Sequence, residues 1–135
     1  FRTVHIEVDN GRTSIREEQN LLTALSGLGM EMEYLCCGGQ DDTWIQEREQ
    51  WHSGANFFAF GPGRVLGYAR NVYTIDGLIR KGFEVIRGSD VLRDRADLDR
   101  PGRVMVAIDG SELSRGGGGC RCMTLPVRRA AMEER

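Results

Sequence analysis

The sequence carries one lysine, Lys81, and two histidines, His5 and His52. Neither residue type stands near the chain's one run of glycines, so a phosphate loop that ends in Lys-Ser/Thr has no support. Charges of the two signs nearly cancel, with a formal net charge of -2. That balance gives no electrostatic reason to expect nucleic acid or an anionic membrane as partner. No apolar run approaches the roughly 20 residues that a spanning helix needs. No basic-then-apolar leader opens the chain, and the expectation is a soluble, cytoplasmic protein. The four cysteines also lack the spacing of structural zinc. Cys36 and Cys37 are adjacent, and Cys120-x-Cys122 is one residue short of the usual chelating turn, with no histidine beside it. Reduced thiols are expected, with no metal and no disulfide scaffold.

What is present is concentrated in Ser111–Pro126, SELSRGGGGCRCMTLP. Four consecutive glycines lead into Cys-Arg-Cys and then a tail that reads as a strand. Glycine lacks Cβ, so such a loop takes up positive φ and lets the backbone approach a ligand. A thiol at its end, flanked by arginines that favour the thiolate, is the arrangement a covalent catalyst requires. On composition alone a flexible glycine linker with an incidental cysteine fits as well.

Along the chain, Thr3–Asp9 alternates as a strand and Asn10-Gly11 marks a turn. Ser14 with Glu17 forms a capping-box pattern ahead of Ile15, Leu21, Leu22, Leu25 and Leu28, which predicts a helix closed by Gly29. A strand is expected over Met30–Cys36 and a short polar helix over Thr43–Trp51. Asn56–Phe60 and Arg64–Ala69 flank Gly-Pro-Gly as a hairpin. Thr74 is expected to cap a helix that ends at Gly82, followed by strands at Phe83–Ile86 and Val104–Ile108. Residues 88–102 read as a charged surface insertion with at most a short helix. The pattern is mixed α/β, and residues 3–60 and 64–125 hint at a repeated unit. Trp44, Trp51, Phe57, Phe58 and Phe60 are expected in the core. Glu47, Arg48 and Glu49 read as a solvated helix face. Arg70 and Asn71 read as a turn.

Two blocks carry a family resemblance. EREQWHSGANFFAFGPGRVLGYARNVYT at 47–74 and SELSRGGGGCRCMTLPVRR at 111–129 resemble the C-terminal part of arginine deiminase. A weaker likeness runs upstream through Ile15-Arg16-Glu17-Glu18 and Cys37-Gly38-Gly39. The resemblance implies a pentein fold, an α/β propeller of five ββαβ-like units around a polar channel. Residues 1–135 would supply roughly the last two of those units, as part of a longer catalytic domain. It further implies the hydrolysis of L-arginine to L-citrulline and ammonia through a covalent thiouronium, without metal or organic cofactor. The nucleophile in the family precedes Met, which assigns Cys122. Residues 114–122 would be the active-site loop, with Arg115, Gly116, Gly117 and Arg121 as substrate-binding residues, and the resemblance makes Glu47, Arg48 and Glu49 braces for loops near the channel rather than contacts to arginine.

Two departures stand out. Some relatives have an arginine where Gly117 stands, so Arg115 is the substitute available for the substrate carboxylate. Cys120 places a second thiol beside the nucleophile, which predicts coupled oxidation of the pair. The family's acid/base histidine in His-x-Asp, and its guanidinium-binding carboxylates, belong further upstream. His5 therefore reads as a strand residue and His52 as a hydrogen-bonding residue, and the expected partner is the remaining N-terminal part of the same protein. On this reading the isolated chain is inactive, and exposed apolar strands favour self-association into a homo-oligomer. Other readings remain open. One is a pentein enzyme acting on another guanidine, as an amidinotransferase or a peptidyl- or agmatine-type deiminase; another is a non-catalytic pentein fragment.

Overall fold

The computed structural model describes residues 2–128, so Arg129, the last residue of the second block, lies outside the described residues. The chain divides into two compact units that part between Tyr34 and Leu35. The first is a hairpin and a helix. Strand β1 (Thr3–Asp9) pairs antiparallel with β2 (Arg12–Glu18), with Ile6 opposite Ile15. Asn10 and Gly11 both have positive φ, 47° and 77°, the geometry of a tight hairpin turn matched to strand twist. Helix α1 (Leu21–Gly27) follows, its first turn capped by the Asn20 side chain, which accepts from the Thr23 N–H at 2.9 Å.

The helix start predicted at Ser14 is therefore wrong. Ser14 sits in β2 opposite Glu7, because Arg12–Glu18 completes a ladder with β1 that a cap at Ser14 would forfeit. The predicted end is right. Gly29 has φ 77°, and the N–H groups of Gly29 and Met30 donate to Ser26 O and Leu25 O, which closes the helix in a Schellman motif. Met30–Cys36 is not a strand. Alternation alone does not make one without a neighbouring edge to take up its backbone groups, and Met30, Met32 and Tyr34 are exposed.

The second unit is a four-stranded sheet with helices. Its elements are α2 (Thr43–Trp51), β3 (Phe58–Gly61), β4 (Arg64–Tyr68), α3 (Val72–Arg80), β5 (Phe83–Arg87), α4 (Gly88–Val91) and β6 (Arg103–Ile108). The sheet order is β3-β4-β6-β5. β3 and β4 form the expected antiparallel hairpin, whereas β6 lies parallel to both β4 and β5. That hairpin joins the two segments once separated at 60/64, so the repeat boundary suggested there falls inside one sheet. β6 is apolar on both faces, as a central parallel strand requires. Met105 and Ala107 meet Leu78 with Phe57, Val65 and Ile75 on one side. Val104 and Val106 meet Ile86 with Leu66, Val91, Ala96 and Leu98 on the other. Residues of the 88–102 segment thus cover the second face of the sheet. Thr124–Arg128 forms no strand, against the expectation for the tail. No helix among the described residues is long and apolar enough to cross a membrane.

Three further expectations change at α2. Trp44 and Trp51 are 80% and 76% exposed, because α2 is a polar helix with no continuous apolar stripe to bury them. Glu49, read as solvated, is the buried residue of α2 and only 1% exposed. Its carboxylate accepts from the N–H groups of Tyr73 and Thr74, at 3.0 and 2.9 Å, and from the Thr74 hydroxyl at 2.7 Å. Thr74 is accordingly not a cap but the third residue of α3. The orphan donors of that helix end are met by a carboxylate from another helix. Thr74 Oγ1 also accepts from the Gly38 N–H at 2.8 Å and lies 3.5 Å from Cys37 Sγ. A Cβ on Gly54 would stand 2.6 Å from that sulfur and 2.9 Å from Glu49 O, so the chain closes there only with glycine.

Glu49→Gln turns an amide NH2 toward a backbone N–H and is expected to cost the protein about 2–3 kcal/mol. Exposed Glu47→Gln should stay within about 0.5 kcal/mol. Urea denaturation of the two variants checks this, and equal midpoints would contradict the bracing role.

Candidate functional site

The glycine loop is hung between two side-chain anchors. After β6 the chain makes a 3-10 turn at Leu113–Gly116, and Gly117 and Gly118 follow with φ of 80° and 90°. Those values lie in the left-handed region, where a Cβ is strained. A Cβ on Gly119 would lie 2.5 Å from Asn56 Cβ and 2.9 Å from Asn56 O, so at Gly119 the requirement is close approach. The loop then delivers Cys120, Arg121 and Cys122. Cys120 points inward and is 2% exposed, whereas Cys122 is exposed.

Asn56 is the downstream anchor. Its amide Nδ2 donates to Cys122 Sγ at 2.9 Å, and its Oδ1 accepts from the Arg121 N–H at 3.2 Å. Both ends of the side chain are used. The Thr124 N–H and hydroxyl donate to Arg121 O at 3.1 and 2.8 Å, which turns the chain after Cys122. The Arg121 guanidinium folds back on Thr124 O and Oγ1.

These surroundings sort the thiols. The Gly119 N–H and the Asn56 amide hold the Cys122 thiol below its ordinary range, and the Arg121 charge adds to them against slight desolvation. Burial pushes Cys120 up. Burial also pushes Cys37 up, with the Glu49 charge adding and the Thr74 hydrogen bond opposing. Nucleophilicity follows the thiolate, so the geometry singles out Cys122. A buried thiol held protonated is a poor partner for the coupled oxidation expected of Cys120.

The remaining predicted site residues are placed as follows. Gly116 and Gly117 are open, with nothing within 4 Å of where a Cβ would be. Arg115 is exposed and paired with Glu112 at 2.8 Å, so its guanidinium is engaged within the loop's own turn. His5 belongs to the first unit, in β1, with Nδ1 3.2 Å from the Arg16 guanidinium. His52 ends α2 and its Nδ1 is 3.2 Å from Ser114 Oγ. Desolvation, then the charges of Arg70 and Arg48, hold its pKa below the ordinary range, with Glu49 opposing. Arg70 donates to Ser111 O at 2.6 Å and lies 3.3 Å from Ser114 Oγ. Asn71 donates to His52 O at 3.2 Å. The Arg70-Asn71 pair therefore does more than turn the chain, for it binds α2 and the loop root to the end of β4. An open depression of about 510 Å³ is lined by Gln50, Ser53, Asn56, Phe57 and Arg121, with Cys122 outside its lining. Among the described residues no group of three or more His, Cys, Asp or Glu is arranged to hold a metal ion.

Asn56 and Ser114 were not picked out by sequence reasoning. Asn56 looks like the polar edge of an apolar run, and its sulfur partner is 66 residues away. The Ser53-Gly54-Ala55-Asn56 segment is the local signal that could have marked it, since the Asn56 N–H closes a turn on Ser53 O.

In folded protein at neutral pH, iodoacetamide is expected to label Cys122 and leave Cys120 intact. Asn56→Ala should slow Cys122 labelling several-fold and move its pH profile toward alkali, since a lowered thiol pKa rises when a donor is lost. Peptide mass mapping across pH 6–10 (a range of about four units around the thiol region) checks this. An unchanged profile would remove Asn56 from the site.

The family model described as arginine deiminase matches residues 3–129. Arginine deiminase of Mycoplasma capricolum subsp. capricolum is 38% identical over 118 residues, covering 87% of this chain and 24% of the relative. Arginine deiminase of Streptococcus uberis is 35% identical over 132 residues, covering 96% of this chain and 27% of the relative. That of Listeria welshimeri is 39% identical over 99 residues, covering 73% and 19%. The chain thus spans about a quarter of the length of the curated relatives it matches.

Proposed function

The chain belongs to the arginine deiminase family, and on that premise we propose that the whole protein hydrolyses L-arginine to L-citrulline and ammonia with Cys122 as nucleophile. The observation that carries this reading is the exposed Cys122 thiol, held below its ordinary pKa by the Gly119 N–H and the Asn56 amide. The Cys122 thiolate attacks the guanidinium carbon and forms a C–S bond. The C–N bond to one terminal nitrogen breaks, and ammonia leaves after taking up a proton. Water then attacks the same carbon of the thiouronium, the C–S bond breaks, and the electron pair returns to the sulfur. The net change is arginine plus water to citrulline plus ammonia, so no oxidant or reductant is consumed.

The loop of residues 114–122 closes over the substrate in this reading, and the exposed backbone at Gly116 and Gly117, apart from the Gly117 N–H already bonded to Ser114 O, supplies polar contacts. Arg115 reaches the substrate carboxylate after releasing Glu112. Arg121 supports the thiolate by charge. The proton transfers fall to a His-x-Asp histidine, and the grip on the guanidinium to carboxylates, both contributed from outside the described residues. The chain order β3-β4-α3-β5 supports one ββαβ unit of a pentein propeller, with β6 inserted into its sheet. The protein would act in the cytoplasm.

Citrulline formation from L-arginine by the full-length protein tests this, with Cys122→Ser as control. The expected result is turnover that falls by roughly a thousandfold or more in the variant, and no turnover by residues 1–135 alone. Turnover that survives Cys122→Ser would overturn the assignment. A panel of agmatine, peptidyl arginine and free arginine fixes which guanidine is the substrate.

A further inference from the structure

We propose that Ser114, pinned between His52 and Arg70, is the positioning residue that sets the root of the glycine loop and, through it, the hydrogen bonds presented to the Cys122 sulfur. The enzymatic part of this inference rests on the deiminase reading above; the part about the thiol does not.

Ser114 is 1% exposed, two residues ahead of the glycine run. Its hydroxyl is enclosed by two side chains from different elements. His52 Nδ1, at the end of α2, is 3.2 Å away, and Arg70 Nη1, just after β4, is 3.3 Å away. A guanidinium only donates. Arg70 therefore donates to Ser114 Oγ, and the serine proton is free for His52 Nδ1. This order requires a neutral imidazole with its own proton on Nε2. It satisfies all three groups, which a buried polar cluster needs. The same Arg70 nitrogen donates to Ser111 O at 2.6 Å, so the turn is clamped at two points. Upstream, a Cβ on Gly110 would run into the Tyr68 ring, which seats the chain against β4.

The route from Ser114 to the sulfur is continuous. Ser114 O accepts from the Gly117 N–H at 3.1 Å. A Cβ on Gly118 would lie 3.4 Å from Cys122 Cβ. The Gly119 N–H then supplies the largest of the effects that favour the thiolate. Between these points Gly116 and Gly117 are exposed, with no side chain and nothing within 4 Å of where a Cβ would stand. A glycine segment without packing takes its position from its ends. Asn56 fixes the downstream end, and Ser114 fixes the upstream one.

The clamp also has a defined pH dependence. Protonated His52 carries N–H at Nδ1 and cannot accept from Ser114. The serine would then face two cationic donors, and the imidazolium would stand beside Arg70. The charged groups facing His52 are Arg70 after β4, and Arg48 and Glu49 in α2; the two arginines and desolvation resist protonation, and Glu49 favours it. The Ser114-to-His52 bond is therefore intact at neutral pH and is given up as pH falls through a His52 pKa that lies below the ordinary histidine value, which weakens the clamp to the Arg70 contacts alone.

The test uses the full-length protein and two readouts, the iodoacetamide labelling rate of Cys122 and citrulline kinetics, each followed against pH. Ser114→Ala is expected to slow labelling several-fold at neutral pH and to raise KM several-fold with a smaller change in kcat. His52→Ala should do the same, which keeps the test valid if the serine variant folds poorly. His52→Asn, an acceptor that does not titrate, should recover most of the His52→Ala loss while removing the acid-side inflection. Ser114→Ala and His52→Ala variants that fold normally by circular dichroism and melting, yet match the unaltered protein in labelling and KM, would overturn the proposal. Labelling that responds to Ser114→Ala in a protein that makes no citrulline would uphold the positioning role and remove the deiminase reading.

Discussion

The second unit is organised by one buried carboxylate. Glu49 leaves the polar helix α2 and inserts between it and the first turn of α3, where it meets two backbone N–H groups and the Thr74 hydroxyl. A buried anion is tolerated when its lone pairs are used, and those of Glu49 are. The consequences run outward from this point. With α2 fixed on α3, the Gly54 N–H donates to Glu49 O at 2.7 Å, and Ser53 turns at φ 57°. The Asn56 N–H then donates to Ser53 O at 3.0 Å. That turn leaves the Asn56 side chain within hydrogen-bond reach of the Arg121 N–H and the Cys122 sulfur. The same docking brings His52 to Ser114 and Asn71 to the His52 carbonyl. Both anchors of the glycine loop therefore trace back to the seat of Glu49.

The loop converts this scaffold into chemistry by difference of environment. Cys37, Cys120 and Cys122 begin as the same functional group. Burial disfavours the thiolate at the first two, while backbone and amide donors favour it at the third. Cys120 and Cys122 are two residues apart, so the distinction is made by the turn between them and not by the surrounding composition. Glycine at 119 permits Asn56 to approach both the backbone and the sulfur. A larger residue there would collide with Asn56 and separate the Cys122 sulfur from its donor.

Much of the local structure was legible. The Asn10-Gly11 turn, the closing glycines at 29 and 82, helix Thr43–Trp51 and the hairpin around Gly61-Pro62-Gly63 all depend on interactions between near neighbours. So does the glycine loop, whose composition announces backbone freedom. Errors arose where two local rules competed. Ser14 satisfies a capping-box pattern, but its segment also alternates in register with β1, and the ladder takes more backbone groups. Met30–Cys36 alternates like a strand, yet alternation says nothing about whether an edge is present to receive it. Thr74 looks like a cap because it stands in the first turn of its helix, but the donors there are met by Glu49, which precedes it by the β3–β4 hairpin.

By itself the sequence determined the mixed α/β class, the family, and the cysteine at the end of a glycine run followed by methionine. Each of these resides in contiguous residues, where spacing and side-chain type suffice. The tertiary structure decided which residues act on that cysteine. Asn56, Ser114 and the buried Glu49 are ordinary polar residues in sequence, and Trp44 and Trp51 are ordinary core candidates. Hydrogen bonds between residues tens of positions apart leave no periodic trace in a chain. Their directions, and the burial that gives them force, exist only once α2, α3 and the sheet have packed.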